Sequence, residues 1–354
     1  MNNSGTSVIR NAAYLGLGLL SSAAALAVSR SRRRRDWNRG KVVVITGASR
    51  GLGLALAEEF GQRGARLVLG ARDAAELNRA RRILTDSGAV IDEGNLLTVS
   101  ADLRKPEEAQ GLINQAIRHF GHVDVLINNA GIITVGPVEN QSIERFHEVM
   151  ESNFYTAVHC TLAVLPSMLE RHEGAIANVT SIGGKIPMPH LLPYTASKFA
   201  AVGFSEGLGM ELRSKGIRVT TICPGLMRTG SHRNALFTGD ASREYRWFSL
   251  AANLPGASIA ASRAARQIAD GVAAGVSVLS ITPQAFFAAR FGNVSPALTT
   301  SLMRSVGMLL PRPIPGKSDT LRGEDVRDRE LFPASTIGNT AAQRYNQTPA
   351  FAGH

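Results

Sequence analysis

From Lys41 onward the chain alternates between short apolar runs rich in β-branched residues and longer amphipathic segments. The runs predict buried strands, and the amphipathic segments predict helices that pack against them. This alternation predicts an α/β fold, with a doubly wound parallel sheet and helices on both faces. The predicted strands are Val42–Ile45, Arg66–Gly70, Leu96–Ser100, Val123–Ile127, Ala175–Val179 and Ile217–Ile222. The predicted helices are Leu52–Arg63, Asp73–Asp86, Pro106–Phe120, Ser142–Arg171 and Tyr194–Lys215.

The chain changes character after Ile281. The segment Pro283–Pro311 predicts a C-terminal helical extension of two helices, and the second helix places apolar side chains on one face. We expect that stripe to pack back onto the molecule near Pro224–Pro255, because large exposed apolar patches are uncommon. From Arg312 the chain is polar with scattered proline and glycine, so residues 312–354 are predicted to be disordered. The side chains of the stripe are Leu298, Leu302, Val306 and Leu309.

An uncharged stretch near the N-terminus, Asn11–Ser29, is followed by an arginine cluster within residues 30–35. Its length is about what an α-helix needs to cross a bilayer. We expect an N-terminal apolar helix that anchors the chain in a membrane, with the arginines keeping the catalytic part on the cytoplasmic side. Anionic lipid headgroups are the expected partners of those arginines. Two alternatives stay open, namely a secretory signal cleaved near Ala25-Leu-Ala27 and an extension without membrane contact.

Composition narrows the possible functions. A hydrophobic content of 44% and 35 glycines suit a globular α/β protein with many turns. Residues 1–40 hold seven arginines and one aspartate, which is +6 of the net charge of +11, so the basic pI does not predict a nucleic-acid partner. The two cysteines, Cys160 and Cys223, cannot form a disulfide framework. The histidines lack metal-ligand spacing, so no metal site is predicted.

A glycine-rich turn follows the first predicted strand. Thr46-Gly47 ends the strand, and Gly51-Leu52-Gly53 opens the next helix, with Ser49 and Arg50 between them. Glycines allow a tight turn and let backbone N–H groups at a helix N-terminus approach a diphosphate. The spacing is Gly-x-x-x-Gly-x-Gly, one residue longer than the GxGxxG form. Because the turn lies inside a βαβ alternation, it predicts a Rossmann-like dinucleotide site.

The end of the second predicted strand indicates which dinucleotide binds. An acidic residue at this position usually accepts from the 2′-hydroxyl of the adenosine ribose. Here Ala71 takes that position, with Arg72 beside it and Arg50 in the glycine turn. Two guanidinium groups near the ribose favour a 2′-phosphate, so the cofactor is predicted to be NADP(H). Asp73 is expected to cap the next helix instead of binding the ribose.

A serine, a tyrosine and a lysine predict the chemistry. Tyr194 and Lys198 are four residues apart and therefore share one face of a helix, and Ser181 closes the run Ala175–Ser181. A neighbouring ammonium lowers the pKa of a phenol, which makes the tyrosine a usable acid or base near neutral pH. We expect Tyr194 to give a proton to a carbonyl oxygen while Ser181 donates a hydrogen bond to it. Lys198 is expected to hold the nicotinamide ribose as well.

Residues from about Lys41 to Ile281 resemble the short-chain dehydrogenase/reductase family, of an NADP-preferring type with a YxxxK active site. The resemblance implies that Asp102 and Leu103 bracket the adenine, and that Asn153 positions a water beside Lys198. The cofactor would also be lined by Asn129-Ala130-Gly131 and by the segment from Pro224-Gly225 to Thr229. The matching segments are Thr46–Gly53, Ala101–Leu103, Asn128–Gly131, Asn153, Ser181, Tyr194–Lys198 and Pro224-Gly225.

Motif and resemblance together define the candidate site. The candidate catalytic residues are Asn153, Ser181, Tyr194 and Lys198. The candidate cofactor-binding residues are Gly47, Ser49, Arg50, Gly51, Leu52, Gly53, Arg72, Asp102, Leu103, Asn129, Ala130, Gly131, Tyr194, Lys198, Pro224, Gly225 and Thr229. The chain then divides into an anchor with its arginine-rich flank (1–39), a catalytic domain (40–282), a helical extension (283–311) and a tail (312–354).

The expected activity is NADPH-dependent interconversion of a carbonyl and an alcohol. The apolar side chains between Pro224 and Pro255 suggest a flexible lid and a lipophilic substrate, although core packing would explain the same residues. The alternative function is a non-catalytic, membrane-tethered scaffold that binds NADP. A homo-oligomer is typical of the family, but the anchor and the C-terminal extension would obstruct the usual interfaces.

His190 is expected in a solvated loop, with substrate contact as the alternative.

Overall fold

The computed structural model describes residues 34–253, 258–291, 294–326 and 340–347. In chain order its strands are β1 (Val42–Thr46), β2 (Arg66–Ala71), β3 (Leu96–Ser100), β4 (Val125–Asn128), β5 (Thr134–Val135), β6 (Gly174–Val179), β7 (Ile217–Cys223), β8 (Leu226–Arg228), β9 (Leu236–Phe237), β10 (Ser258–Ala260), β11 (Val278–Ser280) and β12 (Leu321–Arg322). Its helices are α1 (Gly51–Gln62), α2 (Ala74–Asp86), α3 (Pro106–Phe120), α4 (Ile143–Met150), α5 (Thr156–Arg171), α6 (Leu192–Leu212), α7 (Ala241–Asn253), α8 (Ala261–Ala274), α9 (Pro283–Phe291) and α10 (Pro296–Gly307).

The centre of the molecule is a seven-stranded sheet in the order β11-β7-β6-β4-β1-β2-β3. All neighbouring strands of this sheet run parallel. The six predicted strands are therefore confirmed, and the structure adds β11 at one edge. The predicted helix over Ser142–Arg171 is interrupted by a π-helical turn, Glu151–Tyr155, which separates α4 from α5. Helices α7 and α8 were not predicted.

Alternate residues of each strand feed the hydrophobic cores on the two faces of the sheet. Val43 and Ile45 of β1 belong to a core that includes side chains of α1, α2 and α8. Val42 and Val44 belong to a second core with side chains of α3, α5 and α6. This alternation follows from the two-residue period of a strand. The prediction of a doubly wound parallel sheet with helices on both faces is confirmed.

A third apolar cluster closes over the carboxyl edge of the sheet. Phe237 of β9 is fully buried, and Tyr245 and Phe248 of α7 are buried against it. Strand β9 pairs with β5 on one side and β12 on the other. The segment that the sequence suggested as a flexible lid therefore contains two ordered strands, β8 and β9, and the helix α7, with a core of their own. Val326 also joins this cluster, so the prediction of a disordered tail is wrong for residues 312–326.

The C-terminal extension forms the two expected helices, α9 and α10, but most of the predicted apolar stripe stays exposed. Leu298, Leu302 and Leu309 remain 69%, 59% and 87% exposed. The expectation of burial near 224–255 is wrong because the apolar side of α7 already packs against Val135, Leu191 and Val326 in the third cluster.

Residues 340–347 also depart from the prediction of a disordered tail. Ala342 is fully buried, and Tyr345 joins the core formed by α1, α2 and α8. Asn346 donates to the backbone carbonyl of Ser49 in the glycine turn at 2.8 Å. A segment near the end of the chain is thus fixed beside its first strand.

The predicted membrane helix, Asn11–Ser29, lies outside the described residues. Within the part of the chain that the structure describes, no helix combines the length and the hydrophobicity needed to cross a bilayer.

Candidate active site

The candidate site is a cavity of about 570 Å³ at the carboxyl edge of the central sheet. Strand β1 lies between β2 and β4 in the sheet: after β1 the chain continues to β2 and β3 on one side, then crosses to β4 and continues to β6 and β7 on the other side. In doubly wound sheets this topological switch point forms the crevice in which ligands bind. The cavity is lined by segments that follow β1, β2, β3, β4, β6 and β7, and by residues of α6 and α7.

The glycine turn brings the N-terminus of α1 to the floor of the cavity. Gly47 has a φ of +62°, and a Cβ at this position would lie 2.8 Å from Ala130 Cα. A Cβ on Gly53 would collide with the carbonyl oxygen of Gly47. Arg50 precedes the first turn of α1 without a side-chain cap. The backbone of this turn therefore presents N–H groups to the cavity, which is the geometry that binds phosphate.

The segment after β4 is locked onto the end of β1. The Thr46 hydroxyl accepts from the backbone N–H groups of Asn129 and Ala130 at 2.9 and 3.0 Å. The Asn129 amide donates to the carbonyls of Thr46 and Gly47 at 3.0 and 3.1 Å. Gly131 follows, and it also lines the cavity. The structure thus places Asn129, Ala130 and Gly131 beside the glycine turn, as the sequence predicts.

Arg50, which the sequence assigns to a 2′-phosphate, is paired with an acid that the sequence analysis missed. Arg50 Nη1 lies 2.8 Å from Glu76 Oε1 and 2.9 Å from Asn234 Oδ1. The Ser49 hydroxyl donates to the other oxygen of Glu76 at 2.8 Å. Asp73 caps α2 by accepting from the backbone N–H of Glu76, as predicted. Because Glu76 lies inside a helix, no strand-end pattern could have identified it.

The other arginine stays available to a ligand. Arg72 is exposed, lines the cavity directly after β2, and forms no ion pair within the described ranges. Asp102, in contrast, is held by Arg104 through an ion pair of 2.5 Å. That hydrogen bond from Arg104 keeps the pKa of the Asp102 carboxyl below its ordinary value, with Arg72 adding a smaller electrostatic contribution. Leu103 is buried and also lines the cavity.

Ser181 and Tyr194 meet on the wall of the cavity. Ser181 follows β6, and its hydroxyl accepts from the backbone N–H of Gly183 at 3.0 Å. Tyr194 lies in the first turn of α6. Burial raises the pKa of the Tyr194 phenol, and a hydrogen bond with Ser181 lowers it by a smaller amount. The expected lowering of this pKa by Lys198 is not found: burial dominates, and the opposing contribution comes from Ser181.

Lys198 lies one helical turn after Tyr194 and is itself buried. Its Nζ is 5.7 Å from the centroid of the Tyr194 ring and donates to the carbonyl oxygen of Val179 at 3.0 Å. Burial lowers the pKa of Lys198 to about 8, and Cys223 opposes this shift slightly. Near neutral pH most Lys198 side chains therefore carry their positive charge, and the Tyr194 phenol keeps its proton.

Asn153 comes from the π-helical turn between α4 and α5. Its side chain accepts from the backbone N–H of Ile132 at 2.7 Å and donates to the Ile132 carbonyl at 3.0 Å. A Cβ on Gly131 would lie 2.7 Å from Asn153 Oδ1 and 3.8 Å from Lys198 Nζ, so both groups border the same glycine. Such π-turns are frequent at functional sites because they re-aim one side chain. The structure therefore brings all four candidate catalytic residues to one cavity.

The remaining candidates lie after β7. Pro224, Gly225 and Thr229 all line the cavity. The carbonyl of Pro224 accepts from the backbone N–H of Ile182 at 2.8 Å, which joins this loop to the Ser181 segment.

His190 is not among the residues that line the cavity. Its Nδ1 lies 2.7 Å from a buried oxygen of Glu244, so the prediction of a solvated loop is wrong for this side chain.

Comparison with known proteins places this arrangement in a family. Residues 41–237 match the family model described as short chain dehydrogenase. The chain is 40% identical over 210 residues to dehydrogenase/reductase SDR family member 7B from Bos taurus, a match that covers 59% of this chain and 64% of the relative.

Solved structures agree with the sequence match. A substituted form of actinorhodin polyketide ketoreductase, solved with NADPH, has a TM-score of 0.60 and 31% identity, and the match covers 69% of this chain and 96% of that one. L-sorbose reductase from Gluconobacter frateurii, solved with NADPH and L-sorbose, has a TM-score of 0.59 and 28% identity over 69% of this chain and 95% of that one. Fold, site and sequence thus agree, and the chain belongs to the short-chain dehydrogenase/reductase family.

Proposed function

We propose that this protein is an NADP(H)-dependent oxidoreductase that interconverts a carbonyl group and an alcohol. The observation that carries the proposal is the convergence of Ser181, Tyr194, Lys198 and Asn153 beside the glycine turn in one cavity. Two similar proteins were solved with NADPH, which supports the same cofactor here. The Bos taurus relative extends beyond the matched part, so its own activity is not carried over.

The cavity has the groups that a dinucleotide phosphate needs. The first turn of α1, which has no side-chain cap, offers backbone N–H donors beyond that of Gly51, which donates to Tyr345, and the exposed Arg72 offers a cation at the end of β2. When bound, NADP(H) would supply the hydride to the substrate carbon, or accept it in the reverse direction. Because Arg50 is already paired with Glu76, the preference for a 2′-phosphate rests chiefly on Arg72.

The side chains of the site suit proton donation to a carbonyl oxygen. Since burial raises the pKa of Tyr194, the phenol holds its proton at neutral pH and can give it to an oxygen that gains negative charge. Ser181 donates a hydrogen bond to the same oxygen. The nearby Lys198 ammonium then stabilises the phenolate that remains.

Asn153 would serve the site by position. It fixes the backbone of Ile132 through two hydrogen bonds and borders Gly131 together with Lys198. From there it would hold the water that links Lys198 to solvent.

The alternative function, a non-catalytic scaffold that binds NADP, has less support. A scaffold would have no need to bury Lys198, a charge whose desolvation costs stability.

We further propose a lipophilic substrate. The part of the cavity next to Ser181 and Tyr194 is walled largely by aliphatic and aromatic side chains. These are Ile132, Ile133, Met188, Leu191, Leu226, Met227 and Phe248. The two solved relatives are named for a polyketide and for L-sorbose, which differ greatly in polarity, so this proposal depends on the lining itself.

We expect Tyr194→Phe to lower kcat for carbonyl reduction by about two orders of magnitude or more, because the proton donor is removed. Dinucleotide affinity should change little, since the ring and its packing are kept. Tyr155→Phe is the matched control: Tyr155 is half exposed, stacks on His159 and does not line the cavity. Comparable rates for the two variants would mean that another group supplies the proton.

Arg72→Ala should weaken NADPH binding by about tenfold or more and leave NADH binding nearly unchanged, because one charge-assisted contact to the 2′-phosphate is lost. Both dissociation constants can be followed by the fluorescence of the reduced nicotinamide. Arg82→Ala, which removes an exposed arginine of α2 outside the cavity, serves as the control. Equal loss for the two dinucleotides would contradict a role in phosphate discrimination.

The proposed substrate class is tested with a series of methyl ketones of increasing alkyl length. We expect kcat/KM to rise by about fourfold for each added methylene group until the cavity is filled, because each buried methylene contributes transfer free energy of about 0.8 kcal/mol. Phe248→Ala should flatten that rise while leaving the shortest ketone least affected. A preference for polyhydroxylated carbonyls over all apolar ones would exclude a lipophilic substrate.

We also propose that Asn11–Ser29 anchors the protein in a membrane, with the catalytic part on the cytoplasmic side. The intact chain should stay in the membrane fraction through a high-salt wash, because salt screens headgroup contacts without extracting a spanning helix. A protein without residues 1–33 is the control and should be soluble. If salt releases the intact chain, the membrane contact is only electrostatic, between the arginine cluster and the lipid headgroups. A mature protein that begins near Val28 would instead favour a cleaved signal.

A further inference from the structure

A short segment near the C-terminus, residues 340–347, lies against the glycine turn, and we call it the strap. In the sequence it comes after residue 326, where the preceding described part of the chain ends. In space it packs beside β1 and α1, which lie near the start of the described chain. The strap lies outside residues 41–237, the region that matches the family model. Its contacts therefore concern a feature that the family motif does not include.

The strap is anchored on three sides. Tyr345 is buried in the core against α1, α2 and α8, and Ala342 touches the backbone of Gly230 closely enough that no Cβ fits there. Asn346 donates to the carbonyls of Ser49 and Glu76 at 2.8 and 3.1 Å. Asn346 also accepts from Arg79 at 3.0 Å. Its φ of 54° is left-handed, a conformation that asparagine tolerates better than most residues.

Beyond this anchor, Gln347 enters the cavity itself. It is a lining residue, and a Cβ on Gly51 would lie only 2.5 Å from Gln347 Nε2. Its side-chain oxygen is fixed by Asn234 Nδ2 at 2.6 Å, and its backbone oxygen accepts from the same amide at 3.1 Å. Because Asn234 holds the oxygen, the nitrogen of the carboxamide must lie on the side of the glycine turn.

The strap also changes which N–H groups the turn can offer. The backbone N–H of Gly51 donates to the carbonyl oxygen of Tyr345 at 2.8 Å, so it is no longer directed at a ligand. Gln347 Nε2 lies directly beside this occupied donor and brings two N–H groups of its own. The strap thus withdraws one donor from the phosphate-binding turn and supplies another at the same place.

We propose that the strap is part of the dinucleotide site and that the Gln347 carboxamide donates a hydrogen bond to a phosphate group of the bound dinucleotide. This inference rests on the proposed function, since it assigns a contact within that same site. It makes Gln347 a binding residue that a segment near the chain terminus contributes to the cavity beside the glycine turn.

The test compares four variants of the full-length chain. Gln347→Glu keeps an oxygen for Asn234 but puts a negative charge where the donor was, and it should weaken NADPH binding by about tenfold or more. Gln347→Ala should weaken it by about threefold, as expected for one hydrogen bond. Gln343→Glu and Gln343→Ala are matched controls, because Gln343 is exposed on the same strap, and they should stay within about twofold of wild type.

Dissociation constants come from nicotinamide fluorescence, and thermal melting of each variant checks that it is folded. If Gln347→Glu binds NADPH as tightly as Gln343→Glu does, the carboxamide makes no phosphate contact and the proposal fails. Failure of the proposed function would look different, because the wild-type chain would then neither bind NADPH nor reduce a carbonyl.

Hydrogen exchange of the wild-type chain gives a second and independent measurement. If the strap contributes to the bound state, NADPH should slow amide exchange in residues 340–347 by about threefold or more, since a new contact must break before the strap opens. Faster exchange on binding would mean that the dinucleotide displaces the strap. That outcome would overturn the proposal and make the strap a competitor for the site.

Discussion

The close backbone approach between the turn after β1 and the segment after β4 is the constraint on which the site depends. Gly47 can lie against Ala130 only because it lacks a Cβ, and Thr46 bridges the two segments by accepting two backbone N–H groups. The same approach directs the N-terminus of α1 at the cavity and places Gly131 between Asn153 and Lys198. The floor of the cavity and the wall that carries the candidate catalytic residues are therefore fixed by one contact between two strand ends.

A chain of buried hydrogen bonds supports this edge from behind. Asn128 of β4 donates to Asn178 of β6 at 2.8 Å, Asn178 donates to Ser205 of α6 at 2.9 Å, and Ser205 lies 2.7 Å from the Thr221 hydroxyl of β7. Buried polar groups of this kind hold one register, because any slip would leave them unpaired. The rigid edge is what allows Lys198 to stay buried with one carbonyl partner, at a cost in stability that the surrounding core must offset.

The sequence predicts those parts of the molecule that obey a local period or a local motif. The six predicted strands and the glycine turn follow from apolar runs and from the spacing of Gly47, Gly51 and Gly53. The pKa of Tyr194 was predicted in the wrong direction, because the distance to Lys198 and the depth of burial are tertiary quantities. The packing of residues 340–347 was missed for a related reason. A polar eight-residue segment has no periodicity to detect, and it is ordered only by partners almost three hundred positions away, such as Ser49.

Charge pairing around the glycine turn and the ends of β2 and β3 indicates how such distant contacts would decide the cofactor preference proposed above. Among the lining residues that follow β1, β2 and β3 are three arginines and three acids, so their formal charges cancel, and composition alone would not favour an extra phosphate. The contacts in the structure distinguish these charges from one another. Glu76 forms an ion pair with Arg50, Asp102 forms one with Arg104, and Asp73 caps the N-terminus of α2. Arg72 is thereby left as the cation that a 2′-phosphate can reach without first breaking an ion pair. The proposed discrimination between dinucleotides would then depend on which cation is already paired, and the network of Glu76, Asn234 and the strap keeps Arg50 in that paired state.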